Sequence, residues 1–211
     1  EDPLASLNVQ PAPSPKPKRT TRTNCDEVSR SLQDGAFTAR IDLAHELGVS
    51  CQSLEQLHVG YHRGGKYGSI PERDGFGRII GLALRYRNGD KKRAVGSKSG
   101  LTYSEHWYAG DGPIFLVEGA SDTAALLTVG VSAVGRPSNL GGVAHLAALL
   151  HHVPPEREIV VSGERDQKDD GRWPGKEGAV STAKQLADEL ERPIAWALPP
   201  DNAKDTRAWL R

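Results

Sequence analysis

The 211-residue sequence has no methionine, only two cysteines and only 6% aromatic residues. Cys25 and Cys51 form no CxxC and have no histidine pair beside them, which excludes a disulfide framework or a zinc ribbon within these residues and leaves a reducing, cytoplasmic setting as the expectation. No apolar stretch approaches the roughly 18 residues of a membrane span, so no membrane association is expected. There is no signal-peptide pattern, and a chain that starts at Glu-Asp-Pro without an initiator reads as a piece of something longer. An excess of one charge is also missing, with 27 basic residues against 27 acidic. Disorder throughout is excluded by apolar runs of strand length, such as IFLVEG at 114–119 and EIVVSG at 158–163.

The zero net charge is a sum of unlike segments. Residues 60–100 hold ten basic residues against three acidic, whereas residues 101–211 hold eleven against sixteen. A basic lobe beside an acidic one suits a protein that grips a polyanion with the first and divalent cations with the second, although two solvated faces would leave the same count. Residues 1–24, with PAPSPKPKRTTR, predict an extended basic, Pro-rich linker. Residues 25–110 predict an N-terminal α+β lobe. Its apolar spacing through Val28, Leu32, Ile41, Leu43 and Leu47, broken at Asp34-Gly35, indicates two short helices, with a third near SLEQL. The runs RIIGLALRYR (78–87) and KRAV (92–95), joined across Asn88-Gly89, then predict a small antiparallel sheet bearing arginines and lysines.

From residue 111 to the end the rhythm is βαβα: IFLVEG, a helix through SDTAALLTVG, VSAVG, a helix through GVAHLAALLHH, EIVVSG, a helix through KEGAVSTAKQLADEL, and IAWAL. This alternation predicts an α/β fold with a parallel sheet flanked by helices, whose ligand site lies at the carboxyl ends of the strands. Two of those strands end in acid. Glu118 closes the first, and Glu164 and Asp166 follow EIVVSG directly.

These residues resemble the Toprim domain shared by bacterial-type primases, topoisomerases and some nucleases, a Rossmann-like fold with a glutamate after one strand and a D-x-D pair after a later one. VEGASD (117–122) is similar to the first motif, with Glu118 at the glutamate and Asp122 one turn on. GERD (163–166) stands at the second, with E-x-D in place of D-x-D. LPPDNAKDTRAWL (198–210) resembles the primase version of a third, placing Asp205 at a further acid. Upstream, IPERDGFGRIIGLALRYRNGD is similar to the strand-rich lobe that precedes Toprim in bacteriophage primase-helicases, so the resemblance covers roughly residues 47–211. Besides E-x-D, the chain departs from the family in QKDDGRWPGKEGA, a Gly/Pro/Trp loop inserted before a helix.

The resemblance implies a DNA primase core that makes RNA primers on single-stranded DNA from ribonucleoside triphosphates with Mg2+ or Mn2+. Glu118, Glu164 and Asp166 would be catalytic, and Glu118, Asp122, Glu164, Asp166 and Asp205 would hold metal. A zinc-binding domain and a helicase are implied for the parent protein. Plainer roles compete: Asp122 as a first-turn acid facing the helix dipole, Glu164 and Asp166 as loop residues. On the basic side, Arg85 and Arg87 share one strand face at a period of two, Lys91, Lys92 and Arg93 follow across the hairpin, and Lys98 sits between glycine-flanked serines in GSKSG. With Arg136 in GRPSNLGG they are the candidate nucleic-acid or nucleotide contacts, each singly as well suited to a solvated surface. His151-His152 reads as a helix-end dipole partner, Trp196 as core, and Trp173 as exposed or folded over the acids. Two rivals remain, a Toprim nuclease using the same metals and a non-catalytic nucleic-acid-binding module.

Overall fold

The computed structural model describes residues 24–34, 36–62 and 64–211; the expected linker lies almost wholly outside them. The chain opens with α1 (Cys25–Gln33), α2 (Phe37–Leu47) and α3 (Cys51–Gln56). Short polar side chains start two of them: Asn24 accepts from the Glu27 amide and Ser50 from the Ser53 amide, each satisfying a donor the first turn cannot use. Gly48, at φ 67°, ends α2 in the left-handed conformation that costs glycine least.

An antiparallel sheet follows in the order β1 (Gly60–Tyr61), β2 (Tyr67–Arg73), β3 (Ile79–Tyr86), β4 (Lys91–Arg93). The Asn88-Gly89 turn joins β3 to β4 as the sequence predicts, with Tyr86 and Asp90 bonded across it and Gly89 at φ 89°. Asp74 closes the turn between β2 and β3 by accepting from the amides of Phe76 and Arg78, both at 3.0 Å. These hydrogen bonds and the Arg78 guanidinium outweigh the burial that would raise its pKa, and hold the carboxyl below its ordinary range.

The second sheet is parallel, in the order β6 (Ala133–Arg136), β5 (Ile114–Glu118), β7 (Ile159–Ser162), β8 (Ala195–Ala197). Strand alternation sorts its two faces. Ile114 and Leu116, with Val134 and Val161, pack on α5 (Val143–Leu150) and α6 (Pro174–Leu190) through Leu146, Ala183 and Leu186. Phe115, Val117 and Ala133 face the other way, onto Leu126 of α4 (Gly119–Thr128) and Leu210 beyond α7 (Thr206–Trp209). Each such side chain, fully buried, contributes about 1.5–3 kcal/mol.

Two junctions fix one sheet against the other. Leu43, Leu47, Leu54 and Leu57 of the helical start pack on Ala124 and Leu127 of α4. Leu101 exchanges two main-chain hydrogen bonds with Arg73 of β2, both 2.7 Å, and Thr102 exchanges two with Gly135 of β6, at 2.9 and 2.7 Å. A ladder two residues long therefore ties both sheets. Leu101, Tyr103 and Trp107 belong to the core of the parallel sheet.

One core assignment is corrected. Trp196 is 43% exposed. Its register opposite Val161 puts it on the α5/α6 side, but β8 is the sheet edge, and Lys176 of α6 lies over the ring at 5.9 Å. His151 caps the carboxyl end of α5 and stands exposed with His152. No helix among the described residues is long and apolar enough to cross a membrane.

Candidate active site

Between the two sheets lies a cleft of about 590 Å³. One wall is the carboxyl edge of the parallel sheet and contributes Glu118, Asp122, Glu164 and Asp205; the other is the hairpin of the antiparallel sheet and contributes Arg85, Lys91, Lys92 and Arg93. Four of the five candidate acids and, with Arg136, five of the seven candidate cations thus border one space.

Glu118 and Glu164 are delivered by strand ends, Asp122 and Asp205 by the starts of helices. Glu118 is the last residue of β5, and Gly119 at φ 75° turns the chain straight into α4. Glu118 stands at the N-cap position of α4, yet its side chain makes no capping bond, so the carboxylate is free to face the cleft. Burial raises its pKa first, then the charges of Glu164 and Asp166, while Arg136 and Lys91 oppose the rise. Asp122 lies in the first turn of α4, 4% exposed, and its Oδ2 accepts from the Thr206 amide at 3.2 Å. The carboxyl is pushed up to about 7 by burial and by the charges of Asp205 and Glu164. A helix-dipole role does not account for this placement, since the group also seats the first turn of α7.

Glu164 follows β7 and lies 3.8 Å from Lys204. Arg165 turns the other way, onto the Pro199 carbonyl at 2.5 Å and Asp201 at 2.6 Å, which fastens this loop to the segment before α7. Asp205 caps α7 by accepting from the Ala208 amide at 2.7 Å.

Asp166 takes a different course. Its Oδ1 accepts from the Gly175 amide at 2.7 Å in the first turn of α6 and its Oδ2 lies 3.9 Å from Lys168, so it does not line the cleft, although it stands close enough to raise Glu118. The inserted segment makes a tight turn at 168–172, and α6 begins at Pro174, two residues before the expected helix, because proline suits the first helical position. Trp173 is half-buried. Its Nε1 donates to the Glu164 carbonyl at 3.2 Å, and its ring lies between Arg165 (5.8 Å) and Lys176 (5.3 Å). It braces the outside of the acidic loop instead of covering the acids.

Among the cations, Arg85 is paired with Glu46 at 2.6 Å and Lys92 lies over Tyr86 at 5.2 Å. Arg93 meets buried Glu72 through two hydrogen bonds, 2.8 and 3.1 Å, which raise its pKa further. Arg87 and Lys98 are exposed and line no part of the cleft. Arg87 lies past the end of β3, and Lys98 lies in a loop whose amide is bonded to Ile80. Arg136 borders the cleft but is 1% exposed, so its guanidinium does not meet a nucleotide as the sequence reading expected. The turn-like GRPSNLGG conceals this, because the side chain points inward from the last position of β6.

Sequence reasoning passed over Lys204, Arg207 and Glu72, all on the cleft wall. Lys204 and Arg207 flank Asp205 at a spacing of three, a signal visible in AKDTR. Among the described residues no three acids form a closed ion cage, so an ion here would be held by one or two carboxylates and water until substrate phosphates complete its ligands. The donor set fits a hard divalent ion all the same. Mg2+ usually keeps several waters and takes one or two carboxylates together with substrate phosphates, and the cleft offers carboxyl oxygens of Glu118, Asp122, Glu164 and Asp205 for that part.

No protein-family model matches the sequence. No curated protein matches it either. Solved structures do. The chain is similar to the E. coli primase catalytic core, with a TM-score of 0.67 and 15% identity over 91% of this chain and 76% of that one. It is similar to a primase catalytic domain bound to ssDNA, with 0.64 and 14% over 87% and 71%. The primase fragment of the bacteriophage T7 primase-helicase protein gives 0.50 and 16% over 78% and 66%. At these identities the likeness establishes the fold, which is that of primase catalytic cores.

Proposed function

We propose that this chain is the RNA-polymerising core of a DNA primase, a nucleotidyltransferase that joins ribonucleotides on single-stranded DNA. The observation that carries the reading is a cleft with carboxylates from successive parallel strand ends on one wall and a basic hairpin on the other, within a primase-core fold. In the reaction the 3′-oxygen forms a bond to the α-phosphorus of the incoming nucleotide, the bond from that phosphorus to the bridging oxygen breaks, and pyrophosphate leaves with the electron pair.

Mg2+ or Mn2+ held by Glu118, Glu164, Asp122 and Asp205 would neutralise phosphate charge and lower the pKa of the attacking hydroxyl. The half-buried Glu118, its pKa raised from the ordinary value by burial and by Glu164 and Asp166, faces the cleft where it can accept that hydroxyl's proton. Lys204 and Arg207 stand among the acids as fixed cations for phosphate oxygens. Lys91, Lys92 and Arg93 hold the template backbone or the triphosphate from the opposite wall. Asp166 supports the site by seating the acidic loop on α6. The parent protein carries a zinc-binding template reader and a helicase, a placement that rests on the resemblance of residues 47–211 to phage primase-helicases.

The test is a denaturing gel with labelled single-stranded DNA, labelled ribonucleotides and Mg2+ or Mn2+, comparing the native chain with Glu118→Gln. New oligoribonucleotides that disappear with Glu118→Gln are expected. Shortened DNA without nucleotide addition would replace the reading with a nuclease, and DNA left untouched by a folded chain supplied with its zinc domain would replace it with a binding module.

A further inference from the structure

Arg136 is the largest side chain this fold buries completely, at 1% exposure. Interior charge is costly unless it is paired. Among the described residues no carboxylate lies within ion-pair distance of it. Its fork is spent on acceptors from three parts of the chain. Nη1 donates to the Asn139 carbonyl after β6 at 2.6 Å and to Thr182 Oγ1 of α6 at 3.4 Å; Nη2 donates to the carbonyl of Ser162, the last residue of β7, at 2.9 Å. Nε, buried beside the cleft, has no partner.

The positions of these contacts matter more than their number. Arg136 is in register with Glu118 across the β5/β6 pair. Ser162 stands two residues before Glu164. One rigid guanidinium therefore sets the end of the strand that delivers the second acid relative to the strand that ends in the first. The carboxylates of Glu118 and Glu164 are also the charges that favour its ionised form against burial. A packing role alone needs no charge, and an apolar side chain of similar volume would serve it better.

We propose that Arg136 is a positioning residue for the divalent-ion site: it pins the end of β7 against β6 and α6 so that Glu164 is presented to the cleft opposite Glu118, and its charge offsets the repulsion between the two carboxylates until an ion arrives. This rests on the reading of those acids as metal ligands. Lysine does not replace it, since a point-like ammonium cannot span three acceptors in fixed directions.

The experiment is calorimetric titration of Mn2+ alone into the full 211-residue chain, without substrate, for the native protein, Arg136→Lys, Glu164→Gln and the double variant, each checked for folding by thermal melt. Arg136→Lys is expected to weaken Mn2+ binding about tenfold, the lower range for groups that orient metal ligands. In the Glu164→Gln background the same change is expected to cost less than twofold, because the effect runs through Glu164. An equal loss in both backgrounds, the mark of a general structural defect, overturns the proposal, as does no loss in either. If Arg136→Lys fails to fold, Thr182→Val, which removes the α6 acceptor together with that hydroxyl's own 3.2 Å bond to the Asn139 carbonyl, takes its place with an expected loss of about threefold and the same dependence on Glu164. A native chain that binds no Mn2+ overturns the metal reading itself and this proposal with it, a result distinct from native binding that ignores Arg136.

Discussion

Replacing Asp122 with asparagine is expected to stabilise the metal-free chain, and the gain should grow with pH. The folded carboxyl titrates near 7, against an ordinary 3.8, because it is buried among Asp205 and Glu164. Between those values the unfolded chain has released a proton that the folded chain still holds, so stability falls as pH rises, by 1.36 kcal/mol for each pH unit, and levels off above about 7. Over the whole window this amounts to at most about 4 kcal/mol, and water entering around the ionised group brings it to about 2–4 kcal/mol. Asparagine carries no such charge and its side-chain oxygen still accepts from the Thr206 amide. The assay is urea denaturation in EDTA at pH 4.5, 6 and 8 for both proteins. The two curves should nearly coincide at pH 4.5 and separate by about 2–4 kcal/mol at pH 8, with added Mg2+ closing the gap by binding only the native chain. A separation that does not change with pH, or a variant less stable than the native chain at pH 8, would refute the reasoning.

Two further outcomes test the walls of the cleft separately. Changing Lys91 and Lys92 together to alanine should weaken single-stranded DNA binding and make its log-log salt dependence shallower by about 1.4, the effect of two lost phosphate contacts on a single strand; an unchanged slope in fluorescence anisotropy would remove them from the interface. Gly135→Ala should lower stability by about 2 kcal/mol and Tm by about 6 °C, because the added Cβ would stand 2.4 Å from Thr123 Oγ1 and 3.0 Å from the Gly119 carbonyl; an unshifted calorimetric melt would show that the junction yields.

What was legible from sequence follows from what is local. The parallel strands are covered on both faces and read as apolar runs, and acids placed directly after such runs mark the carboxyl edge of the sheet. The hairpin at Asn88-Gly89 is legible for the same reason, since the turn needs only its own residues. Strand β2 is harder to see. It contains Pro71, tolerated because β1 is two residues long and pairs only with Gly68 and Ser69, leaving β2 a partner on one side at that point. Helix α7 has four residues and depends, beside its own Asp205 cap, on one distant contact, the Asp122 carboxylate on the Thr206 amide. Trp196 and Arg136 depart from the sequence reading for a common reason. Whether a side chain is covered at a sheet edge, or turned into the interior from a glycine-rich connection, depends on which element lies across from it.

The short ladder through Leu101 and Thr102 makes the width of the cleft a matter of stiffness. Swinging the walls apart at the Leu101 bridge would break its two main-chain hydrogen bonds to Arg73, each contributing about 1 kcal/mol net, and would expose Leu101, now fully buried, for about 2 kcal/mol more. A cost of about 4 kcal/mol leaves the parted form at roughly one molecule in a thousand. A polyanion bound as proposed would meet walls of nearly fixed separation, and its movement would come from sliding along them more than from their parting.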